Sequence, residues 1–289
     1  MSPENAAEGF LDAPGGKIHY YDWGGDGIPV HFLHANGFCA GVYAPMIRFL
    51  SPRLRVLATD VRGHGDSQGP ELPIRRWNVF VKDLTLFIEN RMMPPVVGVG
   101  HSLGAVITYM AAAERPDLFS KIILVDPVIF PQRLLFFWRL GKILGIPVPI
   151  PLAKGARRRK KSFSSRREAL ERFANGRGMF ATWNREFVES YLSCALLTRD
   201  DETALLKCDP ELEAQIYESV PTDAWSYARR IRCPALLVRG EHSDTFLPAA
   251  ALPLSRRIPD ARLAVIPGTG HFVPMEKPED LARVILDFV

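Results

Sequence analysis

Apolar residues along this chain fall in short runs, and stretches with helical spacing separate them. "KIHYYDW" (17–23) alternates apolar with polar positions, as a strand with one wet face does. "PVHFLH" (29–34), "RVLATD" (55–60), "PVVGVGH" (95–101), "KIILVD" (121–126), "PALLVRG" (234–240) and "ARLAVIPG" (261–268) are nearly continuous instead. Strands covered on both faces read this way. Helix-like segments lie between them at about 41–50, 77–92, 103–114 and 277–289. The last has Pro278 and two acids in its first turn, a helix-start signature. The alternation predicts an α/β fold, a mostly parallel twisted sheet flanked by helices.

One interval breaks the rhythm. Residues 131–230 hold no clear strand pattern and are expected to form a helical cap over the carboxyl edge of the sheet. Residues 1–130 and 231–289 then make up one core domain. Between Pro131 and Arg232 there are 19 Lys+Arg and 12 Asp+Glu, a balance of +7. The whole chain carries only +4, so the remainder is at 4 − 7 = −3 and the basicity belongs to the middle. The run 157–167 concentrates it and is expected to be a solvated, mobile loop, with no nucleic-acid partner. Apolar stretches such as "LLFFW" and "ILGIPVPIPL" are too short or too Pro-broken to span a bilayer. The start, "MSPENAAEGF", has no basic and apolar leader pattern, which points to a cytoplasmic protein. The four cysteines (Cys39, Cys194, Cys208, Cys233) have no metal-ligand spacing and are expected to be reduced and buried.

Candidate chemistry centres on "VVGVGHSLGA" (96–105). Ser102 sits between a strand-like and a helix-like run, with Gly100 and Gly104 two positions either side. A serine raised on a tight strand-to-helix turn needs small residues there, because the backbone is crowded. The same turn sets the Leu103 amide at the helix's amino end, where negative charge is favoured. Serine also needs a base and an orienting acid. His271 follows the last strand in "IPGTGHFVP", and Asp244 follows "ALLVRG" in "GEHSD". Both lie past strand carboxyl ends, the edge at which ligands bind in open α/β sheets. Asp126, at the end of "KIILVD", is the alternative acid; the Gly240-Glu241-x-x-Asp244 spacing favours Asp244.

With "GHSLG" (100–104), "DVRGHGDS" (60–67), "FLHANGF" (32–38) and the order Ser102, Asp244, His271, the chain resembles the α/β-hydrolase fold superfamily. The likeness is to its serine-nucleophile, cap-bearing, carboxylesterase-like branch, and covers roughly 15–128 and 232–289. It implies that the Phe38 amide joins that of Leu103 as an oxyanion donor, with neighbouring Asn36 the other candidate. The family's usual His-Gly-x-Pro loop is altered here to His34-Ala35-Asn36-Gly37-Phe38-Cys39.

The resemblance implies a serine hydrolase acting through an acyl-enzyme on carboxylic esters with small to medium apolar acyl or aromatic groups. Carbon–carbon bond hydrolases, thioesterases, lactonases and cofactor-free perhydrolases use the same triad, and some proteins of this fold serve as small-molecule receptors. No metal or organic cofactor is implied. Aromatics of the cap, Trp183 and Phe187 foremost, are expected with Asn36 to contact the substrate. His34 and His64 are expected to bond local backbone, Asp60 and Arg62 to form a structural salt bridge, and His101 has no evident role.

Overall fold

The computed structural model describes residues 6–144, 150–175 and 178–289. Its strands are β1 (Ala7–Ala13), β2 (Gly16–Asp22), β3 (Ile28–Leu33), β4 (Leu54–Thr59), β5 (Val96–His101), β6 (Phe119–Val125), β7 (Ser162–Phe163), β8 (Leu196–Thr198), β9 (Ala204–Leu206), β10 (Ala235–Gly240) and β11 (Ala261–Ile266). The α-helices are α1 (Ala44–Ile47), α2 (Asn78–Arg91), α3 (Leu103–Glu114), α4 (Gln132–Ile143), α5 (Pro151–Arg157), α6 (Arg166–Ala174), α7 (Arg185–Ala195), α8 (Pro210–Glu218), α9 (Pro248–Arg257), α10 (Val273–Glu276) and α11 (Pro278–Phe288). Eight strands form one sheet in the order β1-β2-β4-β3-β5-β6-β10-β11. The β1–β2 and β2–β4 pairings are antiparallel; all the others are parallel.

Burial follows the sequence pattern. Every residue of β5 and of β10 is buried, as continuous apolar runs require in the middle of a sheet covered on both faces. α3 is buried from Leu103 to Ala113 and is correspondingly apolar all round. At α11 only Leu281, Ala282 and Ile285 are buried, one stripe of an amphipathic helix.

Some elements escaped the pattern for identifiable reasons. β1 buries only Leu11, so its hydrophobic alternation is weak. Pro253 interrupts α9 and masks its periodicity. Among the described residues between β6 and β10, none forms a strand of the large sheet. They do hold strands, contrary to expectation: β7, β9 and β8 pair antiparallel in a second sheet. Strands of two or three residues are too short to show a period of two.

The basic run also departs from expectation. Four of its cations pair with acids, several of them on or beside α8. Arg157 bonds both Glu211 and Glu218, Arg159 bonds Glu213, Lys161 bonds Asp209, and Lys160 bonds Glu168. A run that looks self-repelling in one dimension is neutralised by groups about 50 positions downstream.

Four histidines are enclosed near the carboxyl edge. Burial lowers His31 and His64 to about 3, and it lowers His34 and His101 as well. His19 shifts the other way: burial is the largest single effect and opposes its charge, but the hydrogen bond to Asp60 and the negative charges of Asp60, Asp66 and Glu8 together outweigh it. A histidine held neutral in the fold takes up a proton on unfolding below its ordinary pKa of about 6.5. Stability from His31 and His64 is therefore full above about 6.5 and declines as pH falls toward about 3. Each should cost about 1.4 kcal/mol per pH unit across that window. Thermal unfolding followed between pH 7 and 4.5 should show a steady fall in Tm; a flat profile would mean these imidazoles are charged in the fold.

Candidate active site

Ser102 occupies the turn between β5 and α3 with φ 55° and ψ −110°, a left-handed conformation that L-residues rarely adopt. Close packing imposes it. A Cβ on Gly100 would lie 2.3 Å from the Gly104 carbonyl oxygen, and one on Gly104 would lie 2.2 Å from that of Leu33. Without side chains at both positions, α3 starts directly against the ends of β3 and β5. The Ser102 amide donates to the Val125 carbonyl at 2.9 Å and that of Gly104 to the His34 carbonyl at 3.1 Å, which pins the turn to the end of β6 and to the residue after β3.

His271, between β11 and α10, is set by its own loop: the Gly270 amide donates to Glu276 at 2.6 Å. Its Nε2 lies 3.0 Å from Ser102 Oγ and its Nδ1 lies 2.8 Å from Asp126 Oδ1. Nδ1–H therefore donates to the carboxylate, leaving Nε2 to accept the serine hydroxyl proton.

The carboxylate that reaches His271 is that of Asp126, not that of Asp244, which the sequence spacing favoured. Asp126 ends β6 at φ 45° and is wholly buried. Its carboxylate accepts from His271, from the Gly240 amide at 3.0 Å and from Ser243 Oγ at 2.6 Å. Asp244 is one position too late. The turn closed by Ser243 N–H on the Gly240 carbonyl points Ser243 inward and leaves Asp244 exposed, where its carboxylate accepts from the Thr245 hydroxyl at 3.2 Å. The sequence signal for Asp126 was its place at the end of the strand next to that of Ser102.

The oxyanion assignment changes in part. Leu103 opens α3, and its amide has no intrahelical acceptor. Phe38 does not offer a free amide: its N–H donates to the Ala35 carbonyl at 3.2 Å, closing a turn that holds Gly37 at φ 76°. Among the described residues the amides of Asn36, Gly37 and Cys39 stand outside the turn bonds of this loop, and of the two candidates Asn36 is the one left open. The Asn36 side chain is occupied, with Nδ2 donating to the Glu213 carbonyl and Oδ1 accepting from His64. It braces the loop against α8 and His64.

His101, which had no role in the sequence reading, links the two halves of the site. The Ala35 amide donates to the Tyr43 hydroxyl at 3.1 Å, Tyr43 donates to His101 Nδ1 at 2.7 Å, and His101 Nε2–H donates to the His271 carbonyl at 3.0 Å. Burial first, and the His271 imidazole second, keep His101 neutral, as this chain requires. Asp60 and Arg62 do not pair with each other: Asp60 accepts from His19 and the Ala40 amide, while Arg62 forks onto Asp83.

Aromatic rings close the site from above. Trp183 meets Phe38 at 5.2 Å and Phe272 at 5.7 Å, and Phe272 meets His271 at 5.1 Å between ring centroids. Phe187 is buried in the same core cluster but makes no ring contact with this group among the described residues. Ser102 is only 6% exposed beneath them.

Asp126→Asn should lower kcat by about four orders of magnitude through loss of the imidazole's tautomer and charge partner, and Asp244→Asn should leave it nearly unchanged. Steady-state kinetics on any turned-over ester would decide between them; equal effects would remove Asp126 from its position. Tyr43→Phe should cost about 1–3 kcal/mol of stability, because it strands the buried Ala35 amide. Chemical denaturation measures that directly, and an unchanged midpoint would break the proposed linkage.

A 2-(acetamidomethylene)succinate hydrolase from Mesorhizobium japonicum is 27% identical over 283 residues, covering 92% of this chain and 89% of that protein. Among solved structures, that of E-2-(acetamidomethylene)succinate hydrolase superposes with a TM-score of 0.80 at 24% identity, over 98% of each chain. The thioesterase domain from the curacin biosynthetic pathway superposes with a TM-score of 0.76 at 19% identity, over 98% of this chain and 99% of that one. Both superpositions establish the α/β-hydrolase fold. Residues 32–284, a span that holds Ser102, Asp126 and His271, match the alpha/beta hydrolase family, and the chain belongs to it.

Proposed function

We propose that the protein is a serine hydrolase that cleaves carboxylic esters bearing small to medium apolar acyl or aromatic groups. The observation that carries the reading is the hydrogen-bonded chain Ser102–His271–Asp126, with links of 3.0 and 2.8 Å. In the reaction Ser102 Oγ attacks the ester carbonyl as His271 Nε2 takes its proton, and Asp126 stabilises the imidazolium. The negative charge on the carbonyl oxygen faces the amides of Leu103 and Asn36; losing one such donor costs about 2.7–4 kcal/mol in comparable sites. His271 then passes its proton to the departing alkoxide. A water deprotonated by the same nitrogen attacks the acyl-enzyme, and the acid and free Ser102 are regenerated.

The aromatic roof supports the substrate class. Phe272 lies 5.1 Å from the His271 ring, and Phe38 and Trp183 pack on Phe272 at 6.0 and 5.7 Å, which extends an apolar wall beside the imidazole. Trp183 Nε1 is buried with no partner among the described residues, so a substrate with an acceptor at that depth would gain a hydrogen bond. Residues 131–230 act in this reading as a cap that supplies the acyl pocket. The similarity to a hydrolase over nearly the whole chain favours turnover over a receptor role.

A series of p-nitrophenyl esters of rising chain length tests the reading. Wild type should turn over the short and medium members, and Ser102→Ala should lower kcat by about a million-fold while leaving Tm unchanged. A fluorophosphonate should label wild type once, at Ser102; labelling elsewhere would remove the assignment. Trp183→Ala should shift chain-length preference toward longer acyl groups by opening the roof. Unchanged selectivity would show that the ring only packs the cap.

A further inference from the structure

Two buried thiols meet where the inserted segment touches the oxyanion loop. Cys39 directly follows the Asn36-Gly37-Phe38 loop and is fully buried; Cys194 lies in the last turn of α7 and is 5% exposed. Their sulfurs stand 2.7 Å apart although 155 positions separate them in sequence. That is closer than two unbonded sulfurs rest in ordinary contact, against about 2.05 Å in a formed disulfide. Neither thiol has a part in the hydrolytic chemistry, and a pair of small apolar residues would pack this seam as well. The seam also bears on the site. Cys39 leads into the turn Ala40–Tyr43, against which α7 packs, and Tyr191 of α7 meets the Phe38 ring at 5.9 Å.

We propose that Cys39 and Cys194 are a site of oxidative modification, a covalent latch between core and cap that hydrogen peroxide closes. One thiolate attacks hydrogen peroxide, the O–O bond breaks, and a sulfenic acid and hydroxide result; the hydroxide takes the proton that the thiol released and leaves as water. The partner thiol then attacks the sulfenic sulfur. The S–S bond forms, the S–O bond breaks, and hydroxide leaves with the thiol's proton as a second water. Two thiols are oxidised by two electrons and the peroxide is reduced to two waters. Burial and the adjoining Cys194 thiol push Cys39 above the ordinary thiol range, so the closed protein reacts slowly. Oxidation belongs to moments when the cap lifts, and closure presents the sulfenic acid to its partner. The cross-link then holds α7 against the oxyanion loop and keeps the roof shut over Ser102. That functional consequence rests on the reading of Ser102 as nucleophile; the cross-link itself does not.

The test uses the full chain with hydrogen peroxide as the probe. Alkylation and mass spectrometry should count four free thiols in the reduced protein, matching its four cysteines, and two after peroxide. A peptide joining 39 to 194 should appear and be released by dithiothreitol. Hydrogen exchange over 185–195 should slow in the oxidised form. Fluorophosphonate labelling of Ser102 should drop by about tenfold or more and recover on reduction. Cys194→Ala should label at the wild-type rate when reduced and ignore peroxide. Four thiols surviving peroxide, a sulfinic acid in place of the linked peptide, or another pairing would overturn the latch. So would a linked protein whose exchange and labelling both match the reduced form. If the reduced protein took no label at Ser102 at all, the hydrolase reading would fall, and thiol count with exchange would still judge the cross-link.

Discussion

The approach of the α3 backbone to the ends of β3 and β5 is the constraint from which the rest of the site follows. Gly100 and Gly104 leave carbonyl groups where side chains would otherwise stand, and Ser102 is driven into a left-handed conformation between them. That conformation aims the hydroxyl above the sheet edge and leaves the first amide of α3 facing the same space. Strain of this kind costs on the order of 1–3 kcal/mol and persists only where the surroundings overdetermine it. Here the amides of Ser102 and Gly104 are tied to the end of β6 and to the residue after β3. The nucleophile's geometry is thus a property of three neighbouring strand ends rather than of one turn.

Sheet order supplies the partners. β6 lies beside β5, so Asp126 at its end stands one strand away from Ser102, and β10 on its other side delivers Gly240 and Ser243 to the same carboxylate. A buried carboxylate is costly unless its lone pairs are met. Asp126 meets that requirement by accepting three hydrogen bonds, from His271, Gly240 and Ser243. The Tyr43–His101 relay joins the oxyanion loop to the His271 loop, so that both walls of the site keep one spacing.

The inserted segment is integrated through two kinds of contact. Its aromatics and α7 share one apolar cluster with β3, β4 and β5. Its basic run is drawn in by the acids around α8, and the Arg159–Glu213 pair lies directly against Gly37. Charge that reads as an exposed liability along the chain becomes a seam between the insertion and the oxyanion loop.

The strands that build the large sheet were legible because burial on both faces demands continuous apolar runs; β1 was not, since it buries one residue. Ser102 and His271 could be read from local chemistry, a glycine-flanked turn and a loop after the last strand. The acid could not. Asp126 and Asp244 both follow strands, and what separates them is which way each carboxylate points once a turn has closed. The same holds for the second oxyanion amide, where a hydrogen bond from Phe38 to Ala35 consumes the donor that sequence favoured. It holds too for the basic run and for Cys39 with Cys194, whose partners lie far away along the chain. Sequence determines what an element is when the cause is periodic or local; direction, pairing and enclosure depend on groups distant in sequence, and only the packed tertiary structure brings those together.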